Sequence, residues 1–363
     1  MAVCASHLRN VALVDYNDLD KPTFFDKFFY GVTSLGHESV IIFFVLSGFF
    51  VGGSVLKSSE NFSIVDYAIA RLTRLWIVLV PALTLTFIID SIIAMYFPEA
   101  LAGSYFNIWH SAPKSSQDYS SSMATLLGNI FFLQTILVPV FGTNGPLWSL
   151  ANEFWYYLIF PISAFALGNL KSSVSTVYRF LAYIAVIMAL FWLPAGFFSG
   201  FVVWLAGVMV WYFSNKIEKK RRFISLILSA MFFILSIAYG KSNVLQTKTG
   251  ISGDYVLGLG FAIFCLILAT WPQPTRSIFG AAVYQISTRL SEFSYSLYLT
   301  HFSFVVIIGV FVYGTSKSAP TLKNIFVLLG WFSCLLLIGY VFWLVFERQT
   351  VKFRTYIVHL ILK

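Results

Sequence analysis

The stretch Leu75–Phe97, LWIVLVPALTLTFIIDSIIAMYF, decides the fold class. It carries one ionisable residue, Asp90, and otherwise reads as a single apolar block. A helix needs about 20 mostly apolar residues to cross a bilayer. Similar blocks recur at Val40–Leu56, Trp148–Leu167, Phe223–Tyr239, Tyr255–Trp271, Phe293–Tyr313 and Ile325–Phe346. Membrane β-strands would show short alternating segments instead. Composition agrees, with 363 residues of which 58% are hydrophobic and 11% charged. A soluble domain carries about 25% charged residues. Mean hydropathy is +0.81. The expected fold is all-α, a polytopic transmembrane helix bundle whose helices satisfy their own backbone groups in lipid.

Two stretches need a closer reading. No charged residue falls between Arg179 and Lys216, too long a run for one span. Pro194-Ala195-Gly196 offers a turn within it, so two short helices are expected, Phe180–Pro194 and Gly200–Tyr212. The apolar stretch Met1–Ala5, followed at once by His7 and Arg9, is too short for a signal peptide, and Met1–Leu13 reads as a first helix truncated at its N-terminus.

Orientation follows from basic loops, which favour the cytoplasm. The cluster Lys216, Lys219, Lys220, Arg221 and Arg222 is the strongest. Lys171 with Arg179, Arg276 with Arg289, and Arg348 with Lys352 and Arg354 then fall on the same side. Arg71 and Arg74 join them only if Leu126–Val140, which contains Asn129 and Gln134, does not span. That segment is expected to be a partial or re-entrant helix buried by protein. The total is about ten spans with both termini cytoplasmic. Val14–Ser39 and Pro98–Ser122 become outer loops. The whole chain, 1–363, is one membrane domain without a soluble appendage.

The net charge of +9 belongs to these cytoplasmic loops and to the lipid bilayer as partner, and nucleic acid is not an expected ligand. Cys4, Cys265 and Cys334 lie in apolar stretches without metal-ligand spacing and read as packing residues. No metal site is expected.

Ionisable residues within spans are functional candidates. His7, near the outer end of the first helix, either takes a proton from an attacking hydroxyl or is an interfacial histidine. Glu153, one turn into the helix that begins at Gly145-Pro-Leu-Trp, either orients a catalytic histidine, binds an acceptor hydroxyl, or complements a helix dipole. Arg71 and Arg74, spaced i, i+3, share a helix face. Paired guanidinium forks suit phosphate oxygens, and flanking basic residues are the bland alternative. His301 lies in its span as a site residue or as a hydrogen-bonded packing residue. Asp90 reads as cavity-lining or as reaching the outer interface. P-loop, nucleophile-elbow and zincin motifs are absent from the sequence.

Several segments, in order, resemble the acyltransferase-3 family of membrane acyltransferases. Ile41-Ile-Phe-Phe-Val-Leu-Ser-Gly-Phe-Phe, with Ser47, looks like its aromatic Ser-Gly helix. Arg71-x-x-Arg74-Leu75 looks like its Arg-x-x-Arg element. Asn129-Ile-Phe-Phe-Leu-Gln134 and Pro146-Leu-Trp-Ser-Leu-Ala-Asn-Glu153, with Trp148 and Ser149, match its central motifs. Ser294-Tyr-Ser-Leu-Tyr-Leu-Thr-His301, with Tyr298, resembles its late element. The resemblance covers essentially the whole chain. It implies His7 as the essential first-helix histidine, Arg71 and Arg74 as the acyl-donor element, and surface-carbohydrate acylation as the activity. The resemblance also implies an Arg well before that histidine, which lies outside this sequence, and a Pro where Gln349 stands.

The expected function is therefore membrane O-acyl transfer in a bacterial inner membrane. No bound cofactor is expected. Acyl-CoA, acetyl-CoA above all, is the co-substrate, and an extracytoplasmic carbohydrate is the acceptor. Ser47, Asn129, Gln134, Trp148, Ser149, Tyr298 and His301 are expected to support the cavity, with His7 as base and Glu153 beside it. Two other classes fit the same polar groups: an exporter of a lipid-linked or small substrate without acyl chemistry, and an inactive scaffold. Consumption of a thioester donor discriminates them. The acceptor glycan, the acyl chain and the oligomeric state are left open by the sequence.

Overall fold

The computed structural model describes residues 1–111, 118–170, 176–220, 222–272 and 278–361. Of the basic residues used for orientation, Lys171, Arg221 and Arg276 lie outside this set. Among the described residues the regular elements are helical. The principal ones are α1 (Ala2–Ala12), α2 (Phe24–Thr33), α3 (Gly36–Lys57), α4 (Ile64–Tyr96), α5 (Met123–Ile130), α6 (Leu147–Ala166) and α7 (Thr176–Trp192). They continue with α8 (Ala195–Ser214), α9 (Phe223–Gly240), α10 (Gly253–Ala269), α11 (Ile278–Glu292), α12 (Ser294–Tyr313), α13 (Leu322–Val345) and α14 (Thr350–Ile361).

Among the described residues six helical stretches are long and apolar enough to cross a membrane: α3, α4, α8, α9, α12 and the run Leu322–Leu360 through α13 and α14. α7 and α10 are shorter apolar helices at two further expected positions. α4 is 33 residues long and begins at Ile64, so Arg71 and Arg74 stand on the helix and not in the loop before it. α5 ends at Ile130. The chain beyond it turns through Phe132 and Thr135, both at positive φ, which a continuing helix cannot accommodate. The expected partial helix is thus a short helix followed by a turn. One element differs from expectation: Arg289 belongs to α11, where a loop was expected. Its mixed composition gives no apolar block, but it lacks Pro and has good helix formers.

The chain divides into two compact units. One comprises Met1–Gly36, Val65–Ala151 and Arg276–Lys363, and the other His37–Ile64 and Asn152–Thr275.

In the first unit, α1 buries Cys4, Leu8, Val11 and Ala12, an i, i+4, i+7, i+8 face. They share a core with Ile89 and Ile93 of α4, Trp109, Leu297, Phe302 and Val305 of α12, and Leu328 and Leu335 of α13. Lipid is as apolar as these side chains, so close packing, not water exclusion, holds such helices together. Small residues permit that approach: Gly339 of α13 lies directly against Leu297 of α12.

In the second unit, α3 and α8 cross at Gly48 and Gly207. A Cβ on Gly48 would run into the Trp204 carbonyl oxygen, and one on Gly207 into that of Val45. α3 loosens to a π-helical turn over Gly48–Gly52 at this crossing. α10 packs against both α8 and α9.

Candidate active site

In the first unit, His7 projects from α1 beside the buried face. Its Nδ1 lies 3.2 Å from Ser111 Oγ, and Asn10 Nδ2 donates to the same oxygen at 3.5 Å. The His7 ring stands 5.6 Å from that of His301, tilted by 32°, and meets the edge of Phe302 at 4.8 Å. Two histidines distant in sequence therefore share one aromatic-walled position.

A turn between α5 and α6 frames the position. Asn129 pins it from below: Nδ2 donates to the carbonyls of Thr125 and Pro139 at 2.8 and 3.0 Å, and Oδ1 accepts from Phe141 N at 3.0 Å. Gln134 Nε2 donates to the Leu147 carbonyl at 3.0 Å, tying the turn to the start of α6. Asp90 holds the next stretch. Its carboxylate accepts from Thr143 N at 2.8 Å and from Thr143 Oγ1 at 2.6 Å. Gly142 sits here at φ +59°, where a Cβ would collide with Asp90 Oδ2. Asn144 Nδ2 then donates to Thr86 Oγ1 at 3.1 Å and to the Leu299 carbonyl of α12 at 2.9 Å. Thr86 in turn shares a 2.9 Å bond with Ser303.

Asp90 is therefore buried structural glue. The expectation that it reaches the outer interface fails because both of its oxygens answer Thr143. One turn beyond, Ser149 Oγ and Tyr298 OH share a 2.6 Å bond, and Tyr298 OH donates to the Pro146 carbonyl at 2.8 Å. Trp148 is half-buried beside them.

The arginine element stands near the start of α12. Arg71 lies over the Tyr67 ring at 5.5 Å, and Arg74 is exposed. Tyr295 OH donates to the Leu75 carbonyl at 3.1 Å. Glu347 accepts from Ser296 N at 3.1 Å and from Ser296 Oγ at 2.6 Å, and it also feels the charge of Arg74. Hydrogen bonds thus join α12 to the arginine-bearing turn of α4 and to the segment after α13.

In the second unit, Glu153 is buried among hydroxyls. Tyr157 OH donates to its Oε1, and Ser47 Oγ donates to the same oxygen at 3.3 Å. Ser47 also meets Tyr157 OH at 3.1 Å and accepts from Trp204 Nε1 at 3.1 Å. Ser47 and Glu153, quoted from two separate motifs, come together there.

The acyltransferase-3 family profile, described as an acyltransferase domain, matches residues 1–357, a range that contains these motifs. The chain belongs to the acyltransferase-3 family. It is a multi-pass membrane protein by its apolar helices and by that membership. An O-acetyl transferase of Shigella phage Sf6 is 25% identical over 166 residues, which is 44% of this chain and 44% of the phage protein. No solved structure matches.

Within this acyltransferase-3 chain, His7, Asn129, Gln134, Ser149, Tyr298 and His301 lie in one unit with Arg71 and Arg74, while Ser47 and Glu153 lie in the other. Ser111, Thr143, Asn144, Tyr157, Trp204 and Glu347 emerge only from the structure. Tyr157 had a signal, since it lies one helical turn after Glu153. Ser111 had none, because a loop serine next to a histidine distant in sequence leaves no periodic trace.

Proposed function

We propose that this protein is a membrane O-acyltransferase. It moves an acyl group, most simply acetyl, from cytoplasmic acyl-CoA to a hydroxyl of an extracytoplasmic carbohydrate in a bacterial inner membrane, with both termini cytoplasmic. Family membership and the name of the phage relative support the reaction class. The observation that carries the reading is α12. Near its start, Tyr295 and Ser296 engage the arginine turn and Glu347, and five residues on from Ser296 it presents His301 to His7. Five residues are about 7.5 Å of helix rise. A phosphate-binding element and an imidazole centre are thereby held on one rigid axis.

In the proposed reaction, Arg71 and Arg74 hold donor phosphates through charge-assisted hydrogen bonds. The thioester carbonyl reaches the histidines. The acceptor hydroxyl attacks it while His7 removes the hydroxyl proton. The Ser111 hydroxyl at Nδ1 fixes the His7 ring, leaving Nε2 for the proton. Glu153, held by Ser47 and Tyr157, is the proposed carboxylate contact for a carbohydrate hydroxyl. Labelled acetyl-CoA supplied to membrane vesicles of producing cells tests the reading. Label should pass to carbohydrate with release of free CoA thiol. Retention of all label on CoA, despite export of carbohydrate, would make the protein an exporter instead.

A further inference from the structure

His301 is 1% exposed, and its two ring nitrogens are treated very differently. Nδ1 lies 2.9 Å from the Tyr298 carbonyl oxygen and 3.1 Å from that of Leu297. Carbonyls only accept, so Nδ1 carries the hydrogen and donates to its own helix. Among the described residues Nε2 has no hydrogen-bond partner. In the resting state a second hydrogen there would face no acceptor among the described residues, so the resting ring is neutral. The helix backbone therefore locks the ring in one tautomer, with a bare lone pair at Nε2. Most buried side-chain polar atoms are hydrogen-bonded, so the bare Nε2 calls for an explanation.

That lone pair belongs to the ring 5.6 Å from His7, and no hydrogen bond joins the two. Phe302 borders both rings, its centroid 4.8 Å from one and 6.3 Å from the other. The hydrogen-bond partner of His7 within its unit is the neutral hydroxyl of Ser111, not a carboxylate. A proton taken up by His7 creates a cation there whose charge no hydrogen-bonded anion of the unit offsets. A second ring able to share that proton lowers the cost.

We propose that His301 is a second proton acceptor, whose Nε2 takes over the proton that His7 removes from the acceptor hydroxyl. The proposal rests on the acyl-transfer reading above. The hydroxyl oxygen forms a bond to the thioester carbonyl carbon, and the carbon–sulfur bond breaks. The hydroxyl proton passes to His7 Nε2 and then, through a water molecule that the proposal places between the rings, to His301 Nε2. It returns by the same route to the departing thiolate, which leaves as CoA thiol with both rings neutral again. His301 touches no substrate atom in this sequence. It acts through His7 and is a positioning residue for the proton.

The test uses the full chain in vesicles from producing cells, with labelled acetyl-CoA as probe. His301→Asn keeps a side-chain donor for the Tyr298 and Leu297 carbonyls but has nothing at the Nε2 position. Turnover should fall about 100-fold or more, with KM for acetyl-CoA and the thermal midpoint unchanged. His301→Ala should recover activity when imidazole is added. The double variant with His7→Ala should be no slower than His7→Ala alone, because the two act in one step. Wild-type turnover in His301→Asn would overturn the proposal. So would His301→Ala that loses activity in proportion to stability and ignores imidazole. If His7→Ala itself keeps wild-type incorporation, the base assignment fails instead, which separates the two ideas.

Discussion

Asp90 and His301 are buried to the same degree, 1% exposed each, in the same unit. They differ in how their polar atoms are answered. Asp90 spends both oxygens on Thr143, and that bond leads through the Thr143–Asn144 stretch to Thr86 and to α12. His301 spends one nitrogen on its helix and leaves the other bare. Burial alone does not mark a working residue in a membrane bundle. A saturated polar group braces the fold, and an unsaturated one beside a second titratable ring is available for chemistry.

The sharpest way to break this contrast is His7→Ala. The rate of acetyl transfer should drop about 10²–10⁴-fold, the usual worth of a general base. Thermal unfolding in detergent should be unaffected. A variant that unfolds but keeps its specific activity would put His7 in the bracing class. Next comes the arginine element. Arg74→Ala should raise KM for acetyl-CoA about 10–100-fold, the loss of a charged hydrogen bond worth about 1.5–3 kcal/mol, with kcat nearly constant. A fall in kcat at unchanged KM would detach Arg74 from donor binding.

Asp90→Ala should behave in the opposite sense. It strands the amide and hydroxyl of Thr143 and should cost about 1–3 kcal/mol of stability per orphaned group. The protein that remains folded should keep its turnover. Full stability in this variant would remove Asp90 from the scaffold. The smallest effect is expected at the edge of the site. Tyr298→Phe deletes the bonds to Ser149 and to the Pro146 carbonyl, each worth about 0.5–1.5 kcal/mol. A modest loss of thermal stability with a severalfold slower reaction would place it between the two classes.

Much of this was legible in the sequence, for reasons that differ by element. Helix positions were visible because apolar blocks such as that of α4 must be long to cross lipid. The spacing of Arg71 and Arg74 already put them on a helix, but its start at Ile64 was not visible, since Asp66, Arg71 and Arg74 interrupt the apolar window. α11 was missed for the same reason. His7, His301 and the arginine pair could be named as ionisable groups near or in spans. Which of them meet could not, because α1 and α12 are joined only through tertiary packing. Asp90 was misjudged for a related reason. A carboxylate saturated by a distant threonine looks, in sequence, identical to one facing solvent. Glu347 could not be singled out, because its grip on Ser296 depends on where the end of α13 returns to α12.

The length of α4 has one further consequence. At 33 residues it measures about 50 Å, against a hydrocarbon thickness of about 30 Å. If Leu75–Phe97 occupies the lipid, the preceding turns stand clear of it as a stiff mast that carries Arg71 and Arg74. If these arginines hold the donor, as proposed, guanidinium groups mounted on a helix would reach its phosphates in the aqueous layer without a loop having to order around them. Capture of the donor then forfeits little chain entropy.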